Sequence, residues 1–229
     1  MMKNKILAVI PARGGSKGLC GKNVKEFCGK PLICWTIDAV RGVLEDEDIC
    51  VSTDYFSIAE IVRSYGLEVP FLRPDYLASD FATTRDVLLH ALNYYKSQGK
   101  NYEIVLLLQP TSPLRTTTHI TEALALYNQN IDMVVSVKRS HTATVIANDN
   151  QCGYLELTLN NNGGRRQNMP EYYEYNGAIY VINANSLYCH QNLNFERKIK
   201  YIMDEKSSID IDNQLDFDIA EMIKMKEQM

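Results

Sequence analysis

Four glycines and three cations crowd into residues 11–23, PARGGSKGLCGKN, directly after a first apolar run over 6–10. Gly14, Gly15 and Gly18 let a backbone turn tightly and approach a ligand, and successive N–H groups can form an anion-binding hollow. Arg13, Lys17 and Lys22 add the charge that phosphates need, Arg as a planar fork and Lys as a point charge. A buried strand leading into such a loop, with a helical pattern from about Pro31, places it where α/β sheets bind nucleotides. Two familiar phosphate loops do not fit. In a Walker A pattern Ser16 stands where a glycine is required, and Asn23 replaces the hydroxyl residue. In a dinucleotide pattern Arg13 and Lys17 break the Gly-x-Gly-x-x-Gly spacing. An ordinary solvated βα turn is the plainer alternative.

Asp210 and Asp212 are the second chemical signal. If residues 208–212 are extended, residues two apart share a face, so both carboxylates point one way while Ile209 and Ile211 point into the core. Paired carboxylates suit Mg²⁺, which takes a few hard oxygen ligands and completes its octahedron with phosphate and water. Helix capping by Asp212 is the alternative. Arg73 and Arg115 each follow a strand end, the edge where such sheets carry ligands; a surface salt bridge would explain Arg115 equally well. Gln109, in a turn stiffened by Pro110 and Pro113, offers a neutral donor and acceptor. Arg165 and Arg166 could hold a substrate carboxylate bidentately, or be a solvated pair. The six cysteines show no Cys-x-x-Cys pair and no matching histidine spacing, so neither zinc nor disulfides are expected, and no role is assigned to the four histidines.

These residues need elements to position them. Apolar runs at 49–53, 69–73, 104–108, 133–137, 175–183 and 199–203 read as further strands. Helical patterns fall at 31–43, 58–65, after Thr83 and Thr84, around 120–127, and at 215–223. Up to Val137 strand and helix alternate, which predicts a mostly parallel sheet flanked by helices, an α/β fold in βαβ units. Residues 139–175 lose the helical period and read as a mostly β excursion. At 229 residues, 45% hydrophobic and 23% charged, the chain fits one domain over 1–229. A net charge of −4 argues against a nucleic-acid partner. No stretch approaches a membrane span and no signal peptide precedes the first run, so a cytoplasmic protein with no membrane partner is expected.

Taken together, the motifs resemble the acylneuraminate cytidylyltransferases, the CMP-sialic acid synthetases. The likeness runs through nearly the whole chain: PARGGSKG at 11–18, KN at 22–23, STD at 52–54, LRPDYLASD at 72–80, QPTSPLR at 109–115, RQ at 166–167, NGAIY at 176–180 and SIDID at 208–212. The resemblance implies a nucleotide-diphospho-sugar transferase-like, Rossmann-like fold and the Mg²⁺-dependent reaction CTP + N-acylneuraminate → CMP-N-acylneuraminate + pyrophosphate. It also implies a homodimer in which 138–175 form a small β-rich arm reaching the partner's sugar pocket. On matching positions it implies that Arg13, Ser16 and Lys22 hold the triphosphate, within a loop that includes Gly14, Gly15 and Lys17. Asn23, Arg73 and Ala82 would recognise the cytidine. Gln109 and Asn176 would face the sugar with Arg166 nearby, and Asp210 and Asp212 would bind the metal. The departures fall on the sugar side: Glu174 stands where some relatives have arginine, and 138–145 replace a His-Pro-rich segment. Legionaminic, pseudaminic and 3-deoxy-octulosonic acids are the alternative substrates.

Overall fold

The computed structural model describes residues 5–15, 18–79, 81–140, 146–149, 155–157 and 171–228, with the backbone path alone at 146–149 and 155–157. Strand β1 (Ile6–Pro11) sets the layering, because successive side chains point to opposite faces. Leu7 and Val9 enter one apolar cluster, Ala8 and Ile10 the other. The short pair β2 (Glu26–Phe27) and β3 (Lys30–Pro31) follows the loop and leads into α1 (Leu32–Arg41). Pro31 sits at the N-cap of α1, where a missing N–H costs nothing. Then come β4 (Ile49–Ser52), α2 (Phe56–Ser64), α3 (Thr84–Ser97), β5 (Ile104–Leu107), α4 (Thr117–Ala125) and β6 (Met133–Ser140). Thr83 caps α3 through a reciprocal box with Asp86.

The remaining elements are β7 (Ile146–Asp149), β8 (Leu155–Leu157), β9 (Tyr172–Asn183), α5 (Ala184–Cys189), β10 (Lys198–Ile202) and α6 (Gln214–Gln228). The six-stranded sheet has the order β10-β6-β9-β5-β1-β4. β4, β1 and β5 pair in parallel, as do β6 and β10, while β9 lies antiparallel to both β5 and β6. The expected mostly parallel sheet is present, with one reversed strand in its middle. The segment 69–73 is no full strand. Only Leu72 bridges to Thr53, since Pro70 and Pro74 bracket it and cannot donate to a ladder.

Helices cover both faces. α1, α2 and α4 contribute Ile33, Ile37, Val40, Ile58, Val62 and Ile120 to one cluster, and α3 and α5 contribute Leu88, Leu92 and Leu187 to the other. Each fully buried side chain of this size contributes about 1.5–3 kcal/mol. A third cluster joins Phe27, Leu32 and Leu114 to Ile211, Phe217 and Ala220. It holds the segment before α6, and with it Asp210 and Asp212, against the far side of the glycine loop.

One ion pair near the sheet edge, with a buried aspartate and an exposed arginine, carries a pH prediction. Asp132 accepts hydrogen bonds from Arg197 Nη2 at 2.7 Å and Nε at 3.1 Å, and from Ser186 Oγ at 2.7 Å. The Arg197 bonds hold its carboxyl down at about 2, against an unfolded value of about 3.9. The depressed value means the pair's stabilisation is complete above the unfolded value and is lost as pH falls through about 2. Because the Arg197 head is exposed, solvent screening reduces that contribution. Urea midpoints measured between pH 5 and pH 2 should fall less steeply for Asp132→Asn than for the unchanged chain.

Candidate active site

The C-terminal ends of β1, β4 and β5 come out side by side, and the chain leaves each of them with a polar segment. Residues 11–15 follow β1, Thr53 and Asp54 follow β4, and Gln109 to Thr111 follow β5. The root of the glycine loop is pinned three times. Ala12 N donates to Ser52 O at 2.9 Å, Asn23 Nδ2 donates to Arg13 O at 3.0 Å, and Gly14 N donates to an Asp54 oxygen at 3.1 Å. Lys22 crosses to the other wall, where its Nζ donates to Ile211 O at 2.8 Å and lies 3.5 Å from Asp212 Oδ1.

These segments enclose a cavity of about 540 Å³, within the range of small-molecule sites. Arg13, Lys22, Asn23, Arg73, Ala82 and Gln109 all line it, with Asp212 at the side opposite the base of the loop. Asn176 and Asp210 line a second cavity of about 280 Å³, together with Lys138, Glu174 and Ser208. Gly177 lies between Gln109, which lines the first cavity, and Asp210, which lines the second. Its φ is +73°, and a Cβ there would lie 2.9 Å from Gln109 Oε1 and 3.2 Å from Asp210 Oδ2. Gly18 is equally confined, since a Cβ would come within 2.2 Å of Asp212 O. Gly14 and Gly15 continue the loop beside the first cavity. Ser16, Lys17, Arg165 and Arg166 lie outside the described residues.

Burial differs sharply between the two aspartates. Asp212 is largely exposed. Asp210 is half-buried, and burial pushes its carboxyl up, helped by the charges of Asp212 and Asp216 and opposed by a Thr111 hydrogen bond and by Lys22. Asp210 Oδ1 is buried with no hydrogen-bond partner among the described residues, and so is Arg73 Nε on the opposite wall. The cap of α6 is Asn213, not Asp212: Asn213 Oδ1 accepts from Asp216 N at 3.1 Å, and an Asp216 oxygen accepts in return from Asn213 N. Asn176 is buried and its amide is engaged with Ser136, Ser208, Met203 and the backbone N–H of Ala178.

Arg115 is neither at a ligand edge nor in a surface salt bridge. It is buried under the site, donating to Gln109 O at 3.0 Å, Ala178 O at 2.8 Å and Thr36 Oγ1 at 2.6 Å, and burial pushes its guanidinium down to about 9. It ties the turn after β5 to β9 and α1. Thr111 lines the first cavity and Asp54 bonds the glycine loop and Arg73 beside it; neither is among the candidate site residues of the sequence, although Asp54 directly follows the end of a parallel strand, the position where such sheets place ligand contacts.

A doubly covered, mostly parallel sheet with a cationic cavity at its C-terminal edge defines a nucleotidyltransferase-like α/β protein. Its fold matches a solved CMP:2-keto-3-deoxy-manno-octonic acid synthetase complexed with CTP, with a TM-score of 0.73, 17% identity, and coverage of 97% of this chain and 99% of that one. The cytidylyltransferase family model matches residues 7–229, and the chain belongs to that family. It is 40% identical over 98% of its length to an N-acylneuraminate cytidylyltransferase of Escherichia coli O18:K1:H7. It is 35% identical to a CMP-N,N'-diacetyllegionaminic acid synthase of Legionella pneumophila, covering 96% of both chains. The chain spans about half the length of the N-acylneuraminate cytidylyltransferases it matches, 53% in the Escherichia coli case.

Gly177→Ala tests the close packing of Gln109 and Asp210 against this glycine. The left-handed backbone alone should cost about 1–2 kcal/mol, and the new methyl group must displace Gln109 or Asp210. We expect a lowered denaturant midpoint together with turnover reduced by about tenfold or more; full turnover in a destabilised variant would mean that this packing tolerates displacement.

Proposed function

We propose that this chain catalyses CTP + N-acylneuraminate → CMP-N-acylneuraminate + pyrophosphate. The observation that carries the reading is the 540 Å³ cavity, with Arg13, Lys22 and Arg73 on its walls and the carboxylate of Asp212 across from the loop. Arg13 and Lys22 neutralise the triphosphate, and the Nε of buried Arg73, without a partner among the described residues, donates to the nucleotide beside Asn23 and Ala82. The nucleophile is the anomeric hydroxyl of the sugar, which displaces pyrophosphate from the α-phosphorus in line, so no covalent enzyme intermediate is required. Catalysis then rests on positioning and on charge neutralisation. Gln109 and Asp210, which both pack against Gly177, orient the sugar together with Asn176, and Arg166, outside the described residues, completes the sugar contacts in this reading.

The donor set fits Mg²⁺. Asp210 offers a buried oxygen with no partner among the described residues, Asp212 an exposed one, and both are hard ligands. Asp210 and Asp212 would hold the ion, and when bound it would supply Lewis-acid stabilisation of charge developing on the phosphates. Lys22, bonded to Ile211 O, keeps the cationic loop in register with this pair.

A second reading replaces the sugar by a related α-keto acid sugar such as legionaminic acid. The Legionella relative matches this chain end to end at a similar length, and Glu174 borders the second cavity where some relatives carry arginine. Pyrophosphate release with CTP against N-acetylneuraminic, legionaminic, pseudaminic and 3-deoxy-octulosonic acids decides between them; the preferred sugar should lead in kcat/KM by about 10-fold or more. No release with any of the four sinks both readings.

The working unit in this reading is a cytoplasmic homodimer, in keeping with a cytosolic nucleotide substrate and with a chain in which no described helix is long and apolar enough to cross a membrane. The arm of 138–175 is supported by the β6–β9 ribbon, which stays paired as far as Ser140 and Tyr172, and by the β7–β8 pair beyond it.

A further inference from the structure

Asp54 lines neither cavity, yet it is the point at which the two sides of the nucleotide cavity are joined. One of its oxygens, Oδ1, accepts from Gly14 N at 3.1 Å and from Arg73 Nη2 at 3.2 Å. The first partner belongs to the phosphate loop, the second to the wall assigned above to the cytidine. The Asp54 side chain is mostly buried and that of Arg73 is 4% exposed, so this contact has little water to compete with it. Burial pushes the Arg73 guanidinium down, Asp54 counters that, and the nearby Arg13 charge adds to the downward push.

The chain around Asp54 is built to hold it still. Ala12 N bonds to Ser52 O, Arg73 N bonds to Thr53 O at 2.7 Å, and Tyr55 N bonds to Thr53 Oγ1 at 3.1 Å. The adjacent Tyr55 ring closes over Gly14 so tightly that a Cβ there would lie 2.6 Å from the ring. Gly14 is thus gripped by a carboxylate on its N–H and by an aromatic ring against its α-carbon. A rigid carboxylate shared between a loop amide and a buried guanidinium fixes their separation, and preorganised contacts bind more tightly than mobile ones.

We propose that Asp54 is a positioning residue for CTP: it sets the distance between the triphosphate loop and Arg73, so that phosphate and cytidine contacts are made together. This rests on the nucleotide assignments made above for Arg73 and the glycine loop, and it does not depend on the identity of the sugar.

The test is calorimetric titration of CTP, with Mg²⁺ and without sugar, into the full chain and into Asp54→Asn, Asp54→Ala, Arg73→Ala and the Asp54→Asn/Arg73→Ala double variant. Asparagine keeps an acceptor for Gly14 N and removes the charge facing Arg73; alanine removes both. Asp54→Asn should weaken CTP binding about 10- to 100-fold, and Asp54→Ala further. In the Arg73→Ala background the Asp54→Asn change should cost no more than about threefold, because its effect is transmitted through Arg73. CTP binding by Asp54→Asn within about twofold of the unchanged chain overturns the proposal, as do costs that simply add in the double variant. An Asp54→Asn chain that loses its cooperative thermal transition also overturns it, since the role would then be structural. An unchanged chain that binds CTP but turns over no acidic sugar removes the sugar reading and leaves this one standing.

Discussion

Lys22→Ala is expected to lower turnover at saturating CTP and Mg²⁺ by about 10²–10³-fold, the usual loss when one charge-assisted contact to a developing charge is removed. The lysine is 15% exposed and spans the cavity wall, from the glycine loop to Ile211 O and Asp212. It therefore has two consequences to lose: the charge presented to phosphate, and the register between the loop and the carboxylate pair. Fold stability should change little, since the variant forfeits one net hydrogen bond of about 1 kcal/mol and a partly exposed ion pair. Lys22→Arg separates the two effects. It restores charge but not the compact ammonium that fits between Ile211 O and Asp212, so it should recover CTP binding more fully than turnover. Near-normal turnover in Lys22→Ala, with its thermal midpoint intact, would take the triphosphate role away from this residue.

Much of this arrangement could be read from the chain because the residues that build it are close in sequence and obey local rules. The glycine loop follows an apolar run, Thr83 stands before a helical period, and the Ser208–Asp212 stretch alternates Ile with Asp. What could not be read depends on partners far along the chain. Nothing local says that β9 enters antiparallel between β5 and β6, since an apolar strand reads the same in either direction. Arg115 follows a strand end like Arg73, but it is buried because Gln109 O, Ala178 O and Thr36 Oγ1 converge on it from three elements. Asp212 precedes a helix as a cap would; Asn213 occupies that place because its own box with Asp216 closes one residue later. The strand expected at 69–73 is one bridge because Pro70 and Pro74, either side of Leu72, have no N–H to donate to a ladder, a local feature that outweighs the apolar pattern.

The two aspartates give the sharpest remaining test, because stability and activity should move in opposite directions. Burial raises the Asp210 carboxyl, so its charged form is disfavoured in the folded chain, and a neutral group of the same shape relieves that cost. Asp210→Asn should therefore leave the thermal midpoint unchanged or higher. It should also reduce pyrophosphate release by about 10²-fold or more, since asparagine keeps one acceptor oxygen but lacks the charge a hard cation needs. Asp212→Asn is the companion. With the cap assigned to Asn213, no helix-capping loss is expected from it, and its exposed side chain should contribute little to folding. If it is a metal ligand, its pyrophosphate-release curve shifts to higher Mg²⁺ while CTP binding without metal stays close to normal. A superimposable Mg²⁺ curve for Asp212→Asn would leave Asp210 as the only protein carboxylate on the ion. A superimposable curve for Asp210→Asn as well would remove the metal from this pair altogether, whatever happened to the thermal midpoint.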